Sequence, residues 1–113
     1  MKIAHYRKVV GAKIPRTNSG LLVHVRGRKL SPKVIKVLST NQGRRVAKPY
    51  LVEIKRELSR ASFYDQRGRK LQNESRPYEV WQPVFKLAEE SFERAQLKTA
   101  QLVTDLSELS KKK

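Results

Sequence analysis

Three short stretches set arginine against glycine: HVRGRK at 24–29, QGRR at 42–45 and QRGRK at 66–70. One pentapeptide, RGRKL, occurs twice, at 26–30 and at 67–71. Glycine lets the backbone come close to a ligand and adopts positive φ without penalty. Arginine offers a planar fork that matches phosphate oxygens, and exposed N–H groups around the glycine add anion-binding donors. One such copy reads equally well as an ordinary glycine turn with solvated flanks. Three copies in a nearly carboxylate-free region favour phosphate contact. The two RGRKL copies are expected to be Gly-Arg turns on one RNA-facing body, with Arg26, Arg28, Arg67 and Arg69 as the foremost phosphate ligands. The full expected RNA-binding set adds Arg7, Lys8, Lys13, Arg16, Lys29, Arg44, Arg45, Lys48 and Lys70.

Other chemistry finds little support. His5 and His24 are the two imidazoles, and neither has a carboxylate near it in sequence. His24 lies inside the apolar run LLVHV and reads as a satisfied structural residue rather than a base or ligand. No metal-ligand spacing occurs, nor any GxxxxGK[ST] or GxGxxG phosphate loop. Glu89 and Glu90 are adjacent, and on a helix they point to different sides. No catalytic residue, metal ligand, cofactor or small-molecule substrate is expected. The AT-hook core Arg-Gly-Arg-Pro is not reproduced, because Lys29 and Lys70 stand where it needs proline.

The charge balance points to a polyanion. Lys and Arg number 26 against 10 Asp and Glu, a net charge of +16 in 113 residues, with a pI near 10.6. Self-repulsion of that size is relieved by neutralisation, and counterion release from nucleic acid supplies binding free energy. The first carboxylate is Glu53, so residues 1–52 carry thirteen cations and no anion. Residues 1–70 hold nineteen cations and three anions, whereas residues 71–110 hold four and seven. A cationic body is thus followed by a mildly acidic segment, which separates a nucleic-acid face from a protein-facing or solvent-facing one.

With no cysteine, disulfides, thiolate metal sites and cysteine nucleophiles are ruled out together. No apolar run is long enough to span a membrane. The N-terminal stretch lacks the sustained apolar region of a secretory signal. The mean hydropathy of −0.66 leaves room for one modest core, with part of the chain expected to order against a partner.

Elements able to position the cations follow from the pattern. Residues 1–20 read as an irregular basic arm, broken by Gly11, Pro15 and TNSG. LLVHV at 21–25 suits a short buried strand, with a helical fragment as the alternative. Ser31-Pro32 reads as an N-cap and first helical position, opening a short helix that Gly43 closes. A second helix is expected from near Pro49, since Leu51, Ile54, Leu58 and Ala61 are spaced by three and four. Residues 72–83, with two prolines, read as an extended connector.

From Val84 onward the spacing is regular. Phe85, Ala88, Phe92, Ala95, Thr99, Leu102, Leu106 and Leu109 alternate by three and four, a heptad seam. A helix of about 27 residues would be roughly 40 Å long. So long a seam needs its own helices, a partner protein or a second copy to cover it. Trp81, Phe85, Phe92, Leu102, Leu106 and Leu109 are the expected protein-interface residues. The aromatics beside the cations, Tyr6, Tyr50, Phe63 and Tyr64, are weighed between stacking on bases of single-stranded RNA and a core role; Phe63 is assigned to the core, while Tyr50 and Tyr64 suit either equally.

The expected fold is α-rich or small α+β: a basic N-terminal arm (1–20), a cationic RNA-binding core (21–71) with two short helices and one short strand or hairpin, a connector (72–83), a long amphipathic C-terminal helix (84–110) and a lysine tail (111–113). That design resembles a small ribosomal protein. It implies a structural ribosome constituent whose partners are rRNA, held by its backbone, and neighbouring ribosomal proteins met through the C-terminal helix. By analogy with lineage-specific ribosomal additions the expected site is the mitochondrial ribosome, otherwise the cytoplasmic one. The alternatives are a nucleoid or chromatin protein on duplex DNA, and an assembly subunit that acts through the C-terminal helix without nucleic acid.

Overall fold

In the computed structural model, residues 13–112 are described; Arg7, Lys8 and the first half of the expected arm lie outside them. Four helices follow in order: α1 (Asn18–Arg26), α2 (Pro32–Leu38), α3 (Asn41–Asn73) and α4 (Tyr78–Lys111). No strand occurs among the described residues.

Helices α3 and α4 form an antiparallel hairpin, each about 50 Å long at 1.5 Å per residue. On α3 the buried positions are Gly43, Ala47, Leu51, Ile54, Leu58, Ala61, Asp65 and Gly68. This seam complements the one on α4, where Phe85, Ala88, Phe92, Ala95, Thr99, Leu102 and Leu106 are buried. Cross-helix contacts from Gly68 to Phe85, from Glu57 to Arg94 and from Tyr50 to Asp105 fix the register. In that register Ala61 lies level with Phe92, Leu58 with Ala95 and Ala47 with Leu106. Small residues face large ones, which allows interdigitation at native density.

The reach of α3 differs from expectation. It begins at Asn41 and runs through Pro49, so neither Gly43 nor Pro49 marks an end. Thr40 is the N-cap: its Oγ1 accepts from Gly43 N at 3.0 Å and donates to the Val37 carbonyl at 2.6 Å. That hydroxyl ties the end of α2 to the start of α3. Gly43 is required there because a Cβ would overlap the Val37 carbonyl oxygen. A mid-helix proline costs about 3 kcal/mol, offset here by burial of Ala47 and Leu51 on either side of it.

LLVHV is helical, not a strand. Thr17 caps α1 by accepting from Gly20 N at 3.0 Å, and Gly27, with φ of 75°, closes it through its N–H to the Val23 carbonyl. Leu21, Leu22 and Val25 enter the core. The start of α2 matches the sequence reading, with Ser31 Oγ accepting from Val34 N at 3.3 Å and Pro32 in the first turn.

The connector is shorter than expected and is a turn. Arg76 N donates to the Leu71 carbonyl at 3.1 Å and Ser75 N to that of Gln72 at 3.0 Å. Ser75 takes the left-handed φ of 59° that this closure demands. Pro77 then precedes α4, which continues through Pro83.

Helices α1 and α2, about 14 and 10 Å long, lie against the end where α3 begins and α4 finishes. Gln96 Nε2 donates to the Val25 carbonyl at 3.4 Å, and Asn18 and Leu38 share a cleft with Arg44, Lys48 and Lys55. They are too short to follow the hairpin to its turn, so among the described residues its far part is built from α3 and α4.

Candidate nucleic-acid interface

The hairpin decides which charges are free. Three carboxylates belong to residues 1–70, all on α3, and each is held within the molecule. Glu53 meets Lys98 at 3.2 Å; Glu57 meets Arg94 at 2.8 Å and Arg60 at 2.9 Å; Asp65 meets Arg69 at 3.0 Å. Two of these pairs use cations from α4, so the acidic segment lends its few positive charges to neutralise α3 along one flank of the seam.

The expected phosphate ligands are left on the outside. Lys13, Arg16, Arg26, Arg28, Lys29, Arg44, Arg45, Lys48, Arg67, Arg69 and Lys70 are all exposed. Among the described residues only Arg69 of this set has a carboxylate partner. Arg26, Arg28 and Lys29 surround the αL glycine that ends α1, so the first RGRKL is a Gly-Arg turn as expected. A cleft of about 310 Å³ between α1, α2 and α3 adds Arg44, Lys48 and Lys55, and Lys33 and Lys36 line a second hollow beside Ser110.

The second RGRKL is no turn. It lies inside α3, with Gly68 buried beneath the Phe85 ring and Arg69 bonded to Asp65, whose side chain is 3% exposed. Here glycine serves helix packing, and Arg67 and Lys70 project from the opposite side. The two copies therefore do not form a matched pair of phosphate loops.

Arg67 and Lys70 belong to a stripe along the back of α3, away from α4: Arg45, Val52, Arg56, Ser59, Phe63, Arg67 and Lys70 recur by three, four and seven. All are exposed. From 45 to 70 the stripe is about 37 Å long at 1.5 Å per residue. Phe63, assigned to the core from sequence, is 63% exposed within it. The α3 seam, extended past Ala61 by four and three, reaches Asp65 and Gly68 and leaves Phe63 on the opposite side.

The expected interface residues are mostly internal. Phe85, Phe92, Leu102 and Leu106 are buried against the chain's own helices, and Leu109 packs half-buried on the same core. Because α3 is as long as α4, the seam finds a full-length partner within the molecule. Trp81 is half-buried between Tyr78 and Phe85 in an edge-to-face ladder, with ring centroids 4.9 and 5.7 Å apart.

His24 is half-buried, and its Nε2 is enclosed without a hydrogen-bond partner, unlike the satisfied histidine expected. His5 lies outside the described residues. Among the described residues no three His, Cys, Asp or Glu side chains are grouped to hold a metal ion, and no helix is long and apolar enough to cross a membrane. Tyr50 Oη donates to Asp105 Oδ2 at 2.7 Å, and this bond, with burial and the nearby charges of Asp105 and Glu53, raises the phenol above its ordinary pKa of 10.0. No protein-family model, curated protein or solved structure matches the chain.

Proposed function

We propose that this chain is a structural RNA-binding protein that grips the sugar-phosphate backbone of rRNA as a constituent of a ribosome. One observation carries the reading. The carboxylates of the cationic body are engaged in ion pairs on the helical hairpin, while among the described residues every expected phosphate ligand is exposed and all but Arg69 lack a carboxylate partner. Folding thus neutralises the few anions and leaves the cations for an external polyanion. Backbone contact rather than base readout suits arginines and lysines spread over a turn, two short helices and the back of a long one. Neighbouring proteins would meet the outer face of α4, where Glu79, Glu90, Glu93 and Leu97 are accessible, since its apolar seam is occupied. The mitochondrial ribosome is the assembly proposed first, on analogy with lineage-specific ribosomal additions.

The test is binding of the purified chain to a structured rRNA fragment as ionic strength rises. Log affinity should fall steeply and linearly with log salt, with little preference among sequences. The endogenous protein should co-sediment with ribosomal subunits at high salt and leave them on RNase treatment. Salt-insensitive binding, or tighter binding to duplex DNA than to rRNA under the same conditions, would overturn it. Fractionation of mitochondrial from cytoplasmic ribosomes fixes the compartment.

A further inference from the structure

Phe63 is the most exposed large apolar side chain among those described, at 63%. Its surroundings are not apolar. The helical neighbours that share its face are Arg56, Ser59, Arg60, Gln66, Arg67 and Lys70, at spacings of three, four and seven. Val52, the next apolar residue on this face, is about 16 Å along the helix at 1.5 Å per residue. A surface for an apolar protein partner is contiguous, whereas here a single ring stands in a cationic field. Arg56, Arg67 and Lys70 have no carboxylate partner among the described residues, so their charge is available. Tyr64 meets the Phe63 ring edge-to-face, with centroids 5.5 Å apart and planes at 70°, and buttresses it from the half-buried side.

We infer that Phe63 is a stacking platform for an unpaired base of RNA, with Arg56, Arg67 and Lys70 holding the phosphates on either side of that nucleotide. The inference rests on the RNA reading above and adds a preference to it: structured RNA with an extruded base over continuous duplex. Stacking on an aromatic face needs no base-specific hydrogen bond, and the stack gains from flanking guanidinium groups. An exposed ring on a rigid helix is already oriented, so little conformational freedom is lost on binding.

Two RNA hairpins test this, identical except that one carries a single bulged 2-aminopurine and the other is fully paired. The parent chain should bind the bulged hairpin more tightly and quench its fluorescence. Phe63→Ala and Phe63→Leu should each weaken bulged binding by roughly 5- to 150-fold, the effect of losing one stacked base, and leave duplex affinity unchanged. Phe63→Trp should preserve both the preference and the quenching. If Phe63→Ala retains the preference, or Phe63→Leu behaves as the parent, stacking is overturned, while salt-dependent duplex binding would still uphold the backbone reading. If the parent binds neither hairpin, the RNA reading itself fails.

Discussion

The ring of Phe85 occupies the space that a side chain on Gly68 would need: a Cβ at position 68 would meet it at 2.7 Å. Phe85 is itself buried, so the ring has nowhere to swing. Gly68→Ala gains up to about 1 kcal/mol of helix propensity but forces this packing apart, at about 1–3 kcal/mol. The net outcome expected is a lower thermal midpoint. Adding Phe85→Leu should make Gly68→Ala less harmful than it is alone, and a double-mutant cycle measures that coupling. A cycle with no coupling would mean that the two residues do not share the space.

Gly27 belongs to the other copy of the same pentapeptide and has a different role. Its left-handed φ tolerates asparagine better than alanine. Gly27→Ala should lower stability by about 1 kcal/mol and Gly27→Asn by less. At position 68 that order should reverse, because asparagine is the larger side chain beneath Phe85. Urea denaturation of the four variants reads both orders.

Arg67 and Arg69 are two residues apart and should separate cleanly. Arg67→Gln should leave stability within about 0.5 kcal/mol and reduce the slope of log affinity against log salt by about one. Arg69→Gln leaves Asp65 buried without that partner, so stability should fall by about 1–3 kcal/mol with a smaller change in salt slope. Equal salt-slope losses in the two variants would show that Arg69 is also a phosphate ligand.

The Tyr50–Asp105 bond should show itself in alkaline solution. The folded phenol holds its proton more tightly than the unfolded one, so this contribution is intact below pH 10. It is lost as pH rises through the raised folded value, where a phenolate would face a carboxylate. Thermal midpoints between pH 8 and 11 should fall more steeply for the parent than for Tyr50→Phe. Parallel curves would remove Tyr50 as the cause.

Ser75 bears a left-handed backbone at the hairpin turn. Ser75→Gly should therefore raise stability by about 0.5–1 kcal/mol, since glycine takes that conformation without a Cβ clash. Scanning calorimetry would detect the rise; a fall would mean that the serine side chain compensates its own strain.

Long periodic stretches were readable from sequence, and short ones were not. The α4 seam was legible because eight apolar or small positions kept one period, and Ser31-Pro32 named its own helix start. LLVHV is too short to carry a period, and its β-branched valines suggested a strand. The stronger signals lay outside the run, in Thr17 and Gly27 as caps. Pro49 and Gly43 looked like boundaries because local rules treat them so, yet tertiary packing carried α3 through both. The cationic surface was legible from composition alone. Its division between free and engaged residues was not, because Arg94 meets Glu57 only through the hairpin register, and Arg69 meets Asp65 only because α3 runs on as helix through the second RGRKL.

The difference in cover between the two ends of the hairpin has a dynamic consequence. Near α1 and α2, opening the seam also exposes Leu21, Leu22, Val25, Val34 and Val37, so that end unfolds only with the whole molecule. Toward Ser75 the seam among the described residues is formed by α3 and α4, with Asp65 and Gly68 facing Phe85, Ala88 and Phe92. Among the described residues fewer elements must part at the turn end than at the base, so amides there should exchange before those of the base. Phe63 and the cations around it sit on this part of α3, so a partner bound there leaves the base of the hairpin uncovered for a second contact.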